Sequence, residues 1–373
     1  MLDEDVPPGY PTGFAGSPAD RRALVALATL RGISPRAVHR LAWREHTASR
    51  CLAAVRSGRA GSSGDRAFAD TVDPGAILEA AAESGARFLA THDEEFPREL
   101  DDLVADPPSW LFVRGRALNE RRPRVSVVGS RRCSALGREI AFELGRGLGA
   151  AGVCVVSGAA FGIDAAAHRG ALAAGGRTIA VLGSGIDVCY PRASADLIEQ
   201  IAVDGTVVSE YAPGTPAEPH RFPARNRIVA ALSVGLVVVE GAGGSGSRIS
   251  VDHALDLGRD VFAVPGPLTS PLSEVPLELI RDGATLIRGV DDLLLDLGVD
   301  AGAVDQPAPP VELGEDERRV WSALQSSSLP DAVARQTGMS IPDAVSTLIR
   351  LELRGLARNV GGRYERTFAR VAR

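Results

Sequence analysis

The sequence predicts a doubly wound α/β domain with a mostly parallel sheet, a helical module before it and a winged helix after it. Three observations carry this. From Val125 onward, seven short apolar runs alternate with helical stretches, as in βαβ units whose strands are covered on both faces. Upstream, apolar residues recur at three- and four-residue spacing, the helical period. Downstream of residue 312, three helical stretches precede two short runs around Gly361-Gly362, the order of a winged helix-turn-helix. The 373 residues suffice for two or three domains.

Taken in order, residues 1–20 carry Pro, Gly, Ser and Asp without periodicity and read as a disordered leader. Residues 21–110 read as the helical module. Leu24, Leu27, Ala28 and Leu30 share one face and Val38, Leu41 and Ala42 another, with the joint at Leu30-Arg31-Gly32-Ile33-Ser34-Pro35. Gly58 to Asp65 reads as a flexible spacer, 74–84 as a helix and Arg87 to Ala90 as a short strand. Residues 111–298 hold the α/β domain, with strands expected at 125–128, 153–156, 178–182, 206–208, 234–239, 261–264 and 284–287. Leu136, Ile140, Leu144 and Leu148 mark the first crossover helix. Residues 299–312 read as a linker, and 313–373 as the winged helix, with helices at 315–325, 329–336 and near 341–354.

Composition narrows the function. The chain is 45% hydrophobic, 24% charged and 5% aromatic, ordinary for a globular protein. No apolar run reaches the roughly 20 residues that span a bilayer, and the acidic, proline-bearing start is unlike a signal peptide. Cys51, Cys133, Cys154 and Cys189 are far apart with no CxxC, which argues against a zinc site or a disulfide framework. A cytoplasmic protein is the expectation. The net charge of −6 excludes a globally basic nucleic-acid binder but not a local basic cleft. All 41 basic residues are arginine, so any cation that meets an anion here is a guanidinium fork.

In an open parallel sheet, ligands collect beyond the carboxyl ends of the strands, and five loops there carry polar chemistry. Gly129-Ser130-Arg131-Arg132 offers a hydroxyl, helix amides and two guanidiniums to a phosphate, or is a plain strand–helix turn. Ser157-Gly158-Ala159-Ala160-Phe161-Gly162 permits close backbone approach. Asp164 just beyond it reads as a helix cap, and His168 as a packed histidine before a catalyst. Gly183-Ser184-Gly185-Ile186-Asp187 precedes Tyr190-Pro191. His220-Arg221-Phe222-Pro223-Ala224-Arg225-Asn226-Arg227 combines arginines with an aromatic, as gripping a sugar-phosphate chain requires. Gly241 to Ser247, with Gly246 and Ser247 at its end, reads as an anion nest. Arg225 and Arg227 have a structural alternative, pairing with Glu210 or Glu240. No GxGxxG follows a strand, a Walker A is impossible without lysine, and GxSxG and HExxH are absent. No metal or nucleotide cofactor is expected.

The succession VVGSRR, SGAAFGIDAAAHRGAL, TIAVLGSGIDVCYP, VVSEYAPG, FPARNRIVAALS, VVVEG…SGSRIS and VFAVPG resembles the DNA-processing protein A family, DprA or Smf. The stretch from Phe96-Pro97-Arg98-Glu99-Leu100 to Gly115 resembles the family's entry into that domain. The resemblance implies a Rossmann-like domain, an N-terminal module of the sterile-alpha-motif or helix–hairpin–helix type, and a C-terminal winged helix. It implies binding of single-stranded DNA without cleavage, protection of incoming strands in natural transformation, displacement or accommodation of the single-strand-binding protein SSB, loading of the RecA recombinase, and homodimerisation. Carried over by position, the binding residues are Gly129, Ser130, Arg131 and Arg132; Ser157, Gly158 and Gly162; Arg221, Phe222, Arg225, Asn226 and Arg227; and Gly246 and Ser247. The sequence departs from the family at Arg248 and Ser250, where Leu and Thr are usual, and at Val275 and Leu277, where Gly and Asn are usual.

Two other classes compete. Nucleotide phosphoribohydrolases on a related fold use PGGxGTxxE, whereas GAGGSGSRISVDHA lacks the PGG start and the Glu. A winged-helix transcription regulator needs a basic recognition helix, but 341–354 sets Arg350 and Arg354 against Asp343 and Glu352.

Overall fold

Five capped helices open the chain. Ser17, Ser34, Thr47, Ser62 and Asp73 each accept a backbone N–H of the turn that follows, starting α1 (Pro18–Leu27), α2 (Pro35–Glu45), α3 (Ala48–Arg56), α4 (Ser63–Thr71) and α5 (Pro74–Glu83). The computed structural model describes residues 6–30, 32–104, 106–299, 313–324, 328–354 and 356–366. The expectation of a disordered leader over 1–20 fails from Tyr10 on. Tyr10 and Phe14 are buried and stack on each other with centroids 5.0 Å apart, and α1 begins at Pro18. Two aromatic rings outweigh the polar composition around them. Residues 1–5 lie outside the described residues. The Gly58–Asp65 spacer is likewise knit into the fold: buried Asp65 closes a capping box with Ser62 and accepts the Gly32 N–H at 2.8 Å.

The sheet follows, with β1 (Ala86–Ala90), β2 (Trp110–Gly115), β3 (Arg124–Val128), α6 (Ala135–Ala150), β4 (Cys154–Ser157), α7 (Ile163–Ala173), β5 (Thr178–Leu182), α8 (Ala195–Asp204) and β6 (Thr206–Ser209). Then come α9 (Arg221–Ala231), β7 (Gly235–Val238), α10 (Ser247–Asp256), β8 (Asp260–Ala263), α11 (Glu274–Arg281), β9 (Thr285–Leu286) and α12 (Val290–Asp296). Among the described residues, nine strands lie in the order β1-β2-β6-β5-β4-β3-β7-β8-β9. All pairings among β3 to β9 are parallel, and β1 and β2 add an antiparallel edge. The domain boundary expected between 110 and 111 therefore falls inside the sheet: β2 starts at Trp110, and β1 pairs with it from Ala86↔Arg114 to Ala90↔Trp110. Strand order reverses between β3 and β7, which meet side by side although three strands separate them in sequence.

Helices α6 and α7 cross so closely that a Cβ on Gly170 would lie 2.0 Å from the Phe142 carbonyl oxygen. Gly170→Ala is expected to cost about 1–3 kcal/mol as an overpacked contact. A melting temperature equal to wild type would show that the crossing yields.

Contacts divide the chain into Met1–Val304 and Asp305–Arg373. In the second unit, α13 (Glu315–Ala323), α14 (Pro330–Thr337) and α15 (Ile341–Leu353) precede the antiparallel pair β10 (Ala357–Val360) and β11 (Arg363–Arg366). Trp321, Val320, Leu348, Leu351, Leu356 and Tyr364 fill its core. This is a winged helix. Residues 300–312, where a linker was expected, lie outside the described residues.

Candidate nucleic-acid interface

Where the order of a parallel sheet reverses, the helices leaving the two central strands go to opposite faces and a crevice opens between them. Here that crevice lies beyond the ends of β3 and β7, and a cleft of about 510 Å³ occupies it. Gly129, Ser130, Arg131, Arg132, Gly158, Phe222, Arg225, Asn226, Gly246 and Ser247 all line it. Of the fourteen residues expected from sequence, the remaining four do not.

Those four are structural. Ser157 is fully buried and donates to the Val127 carbonyl at 2.7 Å. Gly162 has a positive φ of 79°, and a Cβ there would meet the Ser130 carbonyl oxygen at 2.3 Å, so it lets the second loop pass under the first. Arg221 is buried, pairs with Glu218 and lies over the Tyr211 ring. Arg227 is 2% exposed; its Nη2 meets both Glu210 oxygens at 2.8 and 2.9 Å and its Nε reaches Asp106. Burial opposes its charge, but Glu210 and then Asp106 override burial and hold the guanidinium above its usual range. The alternative of a pairing with Glu210 is the one realised, and Arg227 cannot reach a strand in the cleft.

Arg225 is intermediate. It lines the cleft yet is 4% exposed, and Nη1 donates to the carbonyls of Gly158 and Val181. Burial pushes it down to about 10, with Asp164 opposing and Arg131 adding to the fall, so it stays charged at neutral pH. Burial likewise raises the Asp164 carboxyl, against the pull of Arg225.

Arg131 and Arg132 are exposed, and neither has an ion-pair partner within 4.0 Å among the described residues. The Arg131 guanidinium lies 4.9 Å from the Phe222 ring centroid, and the Tyr190 ring packs tilted against the same ring, centroids 5.4 Å apart. Tyr190 is 53% exposed. A cation and two packed aromatic rings, Tyr190 exposed and Phe222 half-buried, thus border the cleft, chemistry that suits an unpaired base and its phosphate.

The amides expected to hold phosphate are mostly taken. Glu240, at the end of β7, accepts the Ser134 N–H at 2.8 Å and its hydroxyl at 2.6 Å, placing a carboxylate on the N-terminus of α6. Glu274 accepts the Gly243 N–H at 2.9 Å in the glycine-rich loop, and Asp164 the Ala160 N–H at 3.3 Å. The first loop thus offers guanidiniums and not helix amides. The α10 terminus at Gly246-Ser247 still faces the cleft, flanked by Ser245 and Ser250. Sequence reasoning left Tyr190 and Ser250 out of the site and had Ser245 only within the anion nest from Gly241 to Ser247; an aromatic just beyond a strand-end loop was the available signal for Tyr190.

His168 is fully buried, its Nδ1 2.6 Å from the Thr178 hydroxyl, which itself donates to Val155. Burial, then Arg225 and Arg169, push it down to about 3. It is a neutral packing histidine.

The family model for DNA recombination-mediator protein A matches residues 87–298, and that for the DprA winged helix domain matches 304–363. A putative DNA processing protein DprA of Mycobacterium tuberculosis is 38% identical over 305 residues, 77% of this chain and 78% of its own length. The DNA processing protein DprA of Streptococcus pneumoniae is 44% identical over 202 residues, 54% of this chain and 71% of its own. An X-ray structure of DprA from the same species superposes with a TM-score of 0.65 at 32% identity, covering 75% of this chain and 98% of that one. DprA from Helicobacter pylori, whose structure concerns its single-stranded DNA binding mode, gives a TM-score of 0.52 at 29% identity over 57% of this chain and 97% of its own. With both the Rossmann-like domain and the winged helix matched, this chain belongs to the DNA recombination-mediator protein A (DprA/Smf) family.

Proposed function

We propose that this chain is a recombination mediator that binds single-stranded DNA in the β3–β7 cleft and does not cleave it. The observation that carries this is the pair of guanidiniums without an ion-pair partner among the described residues, Arg131 and Arg132, beside the half-buried Phe222 ring and the exposed Tyr190 ring. A duplex hides its base faces; a single strand offers them, at about 1–3 kcal/mol per stacked base. The binding residues are the ten that line the cleft, with Tyr190 added. The single-strand binding of the Helicobacter pylori relative supports the same reading. Loading of RecA, accommodation of SSB and a cytoplasmic location follow from family membership and belong to the proposal; among the described residues no helix is long and apolar enough to cross a membrane. A homodimer belongs to it too. One cleft holds few nucleotides, and two linked clefts gain from effective concentration.

A mobility-shift titration with single- and double-stranded oligonucleotides of equal length tests the reading. Single strands are expected to bind at least about tenfold tighter, without ATP or magnesium, and with a log–log salt slope of about −0.7 per neutralised phosphate. Equal binding of duplex favours the transcription-regulator reading. Release of free base from nucleoside monophosphates favours the phosphoribohydrolase.

A further inference from the structure

The opposite end of the sheet holds a second basic feature, at the amino ends of β3, β4, β5 and β6. There Arg116, Arg122, Arg124 and Arg177 line one small cavity of about 20 Å³, with Glu120, Thr206 and apolar Leu118, Cys154 and Ile179 among the other lining residues. Four cations meet one carboxylate in the lining, and Glu99 outside it compensates Arg124 at 3.2 Å. Glu120 is shared by two of them, 3.1 Å from Arg122 and 3.4 Å from Arg177. Among the described residues, two positive charges of this cluster therefore have no carboxylate of their own.

The cluster is held in place by backbone. Arg116 donates its N–H to Gly205 at 2.9 Å and accepts the Thr206 hydroxyl at 3.0 Å on its carbonyl. Arg177 Nη1 donates to the Asp204 carbonyl at 2.6 Å, and buried Arg124 donates to the Leu118 carbonyl. The Arg116 guanidinium has no ion-pair partner among the described residues, and it and Arg122 are exposed at the rim. Like charges gathered around a preformed hollow repel one another until an anion joins them. A cavity this size admits an oxygen or two, with the rest of the anion at the rim, where guanidinium forks match phosphate geometry.

We propose that this cavity is a second phosphate-binding site, separate from the cleft, in which Arg116 and Arg122 grip a phosphate group from the rim and Arg124 and Arg177 fix its inner oxygens. Glu120 is a built-in competitor for the same guanidiniums. The site stands independently of the cleft reading.

The test is thermal melting of the full chain in sodium phosphate against sodium chloride at equal ionic strength. Phosphate is expected to raise the melting temperature of wild type and of Arg131→Ala alike. The Arg116→Ala/Arg122→Ala double variant is expected to lose that rise, needing at least about tenfold more phosphate. Glu120→Gln, which removes the competitor, is expected to reach half-effect at several-fold lower phosphate, a gain that a merely structural Glu120 does not predict. No rise in wild type, an equal rise in the double variant, or no gain in Glu120→Gln overturns the site. Oligothymidylate identifies the source. A salt slope shallower by about 0.7 in the double variant assigns the site to a strand's backbone phosphate, and an unchanged slope with the melting response intact assigns it to free phosphate.

Discussion

Arg227→Ala is expected to be the most destabilising single change at the strand ends. It leaves Glu210, itself 7% exposed, as a buried carboxylate with its bidentate partner gone. Breaking such a pair from one side costs about 3–5 kcal/mol, a large share of the 5–15 kcal/mol typical of a folded domain. The melting temperature should fall by about 10 °C. Single-strand affinity measured well below that melt should stay at wild type, because Arg227 does not line the cleft. The double variant Arg227→Met/Glu210→Leu should recover much of the loss, since an apolar pair replaces an ion pair more cheaply than a lone charge does. A normal melt for Arg227→Ala, or a tenfold affinity loss in folded protein, contradicts this assignment.

Arg131→Ala should do the reverse. The side chain is exposed, pairs with no carboxylate among the described residues and covers the Phe222 ring. Each charged hydrogen bond to a phosphate is worth about 1.5–3 kcal/mol, so single-strand binding should weaken roughly 10- to 100-fold. Melting should be unchanged, because little apolar area is uncovered. Affinity and melting measured on the same preparations of Arg131→Ala and Arg227→Ala should therefore separate along opposite axes. A collapsed melt for Arg131→Ala would make it a structural residue, and wild-type affinity would route the strand elsewhere.

The parallel sheet was legible because strands buried on both faces must be apolar throughout: VSVV and VCVV leave little else to read. The loops were legible once the strands were, since their carboxyl ends are where polar glycine-rich segments face solvent. Strand order was not legible, and with it went the place of the crevice; nothing local says that β7 returns beside β3. The packed start of the chain was missed because Tyr10 finds its partner near Pro107, 97 residues away. The occupied helix termini were missed for the same reason: Glu240 reaches Ser134 across 106 residues. Arg225 and Arg227 look alike in FPARNR, two residues apart, yet one lines the cleft and the other is pinned by Glu210 and Asp106. Which of the two buried arginines borders the cleft is decided by tertiary partners.

The placement of single-stranded DNA in the β3–β7 cleft is tested most directly by photo-crosslinking oligothymidylate to the full chain and mapping the modified residues. Crosslinks are expected at exposed Tyr190 and at half-buried Phe222 beside it, and should be strongly reduced in Arg131→Ala. Crosslinks confined to the winged helix between residues 313 and 366, with Phe222 and Tyr190 unmodified, would contradict the account.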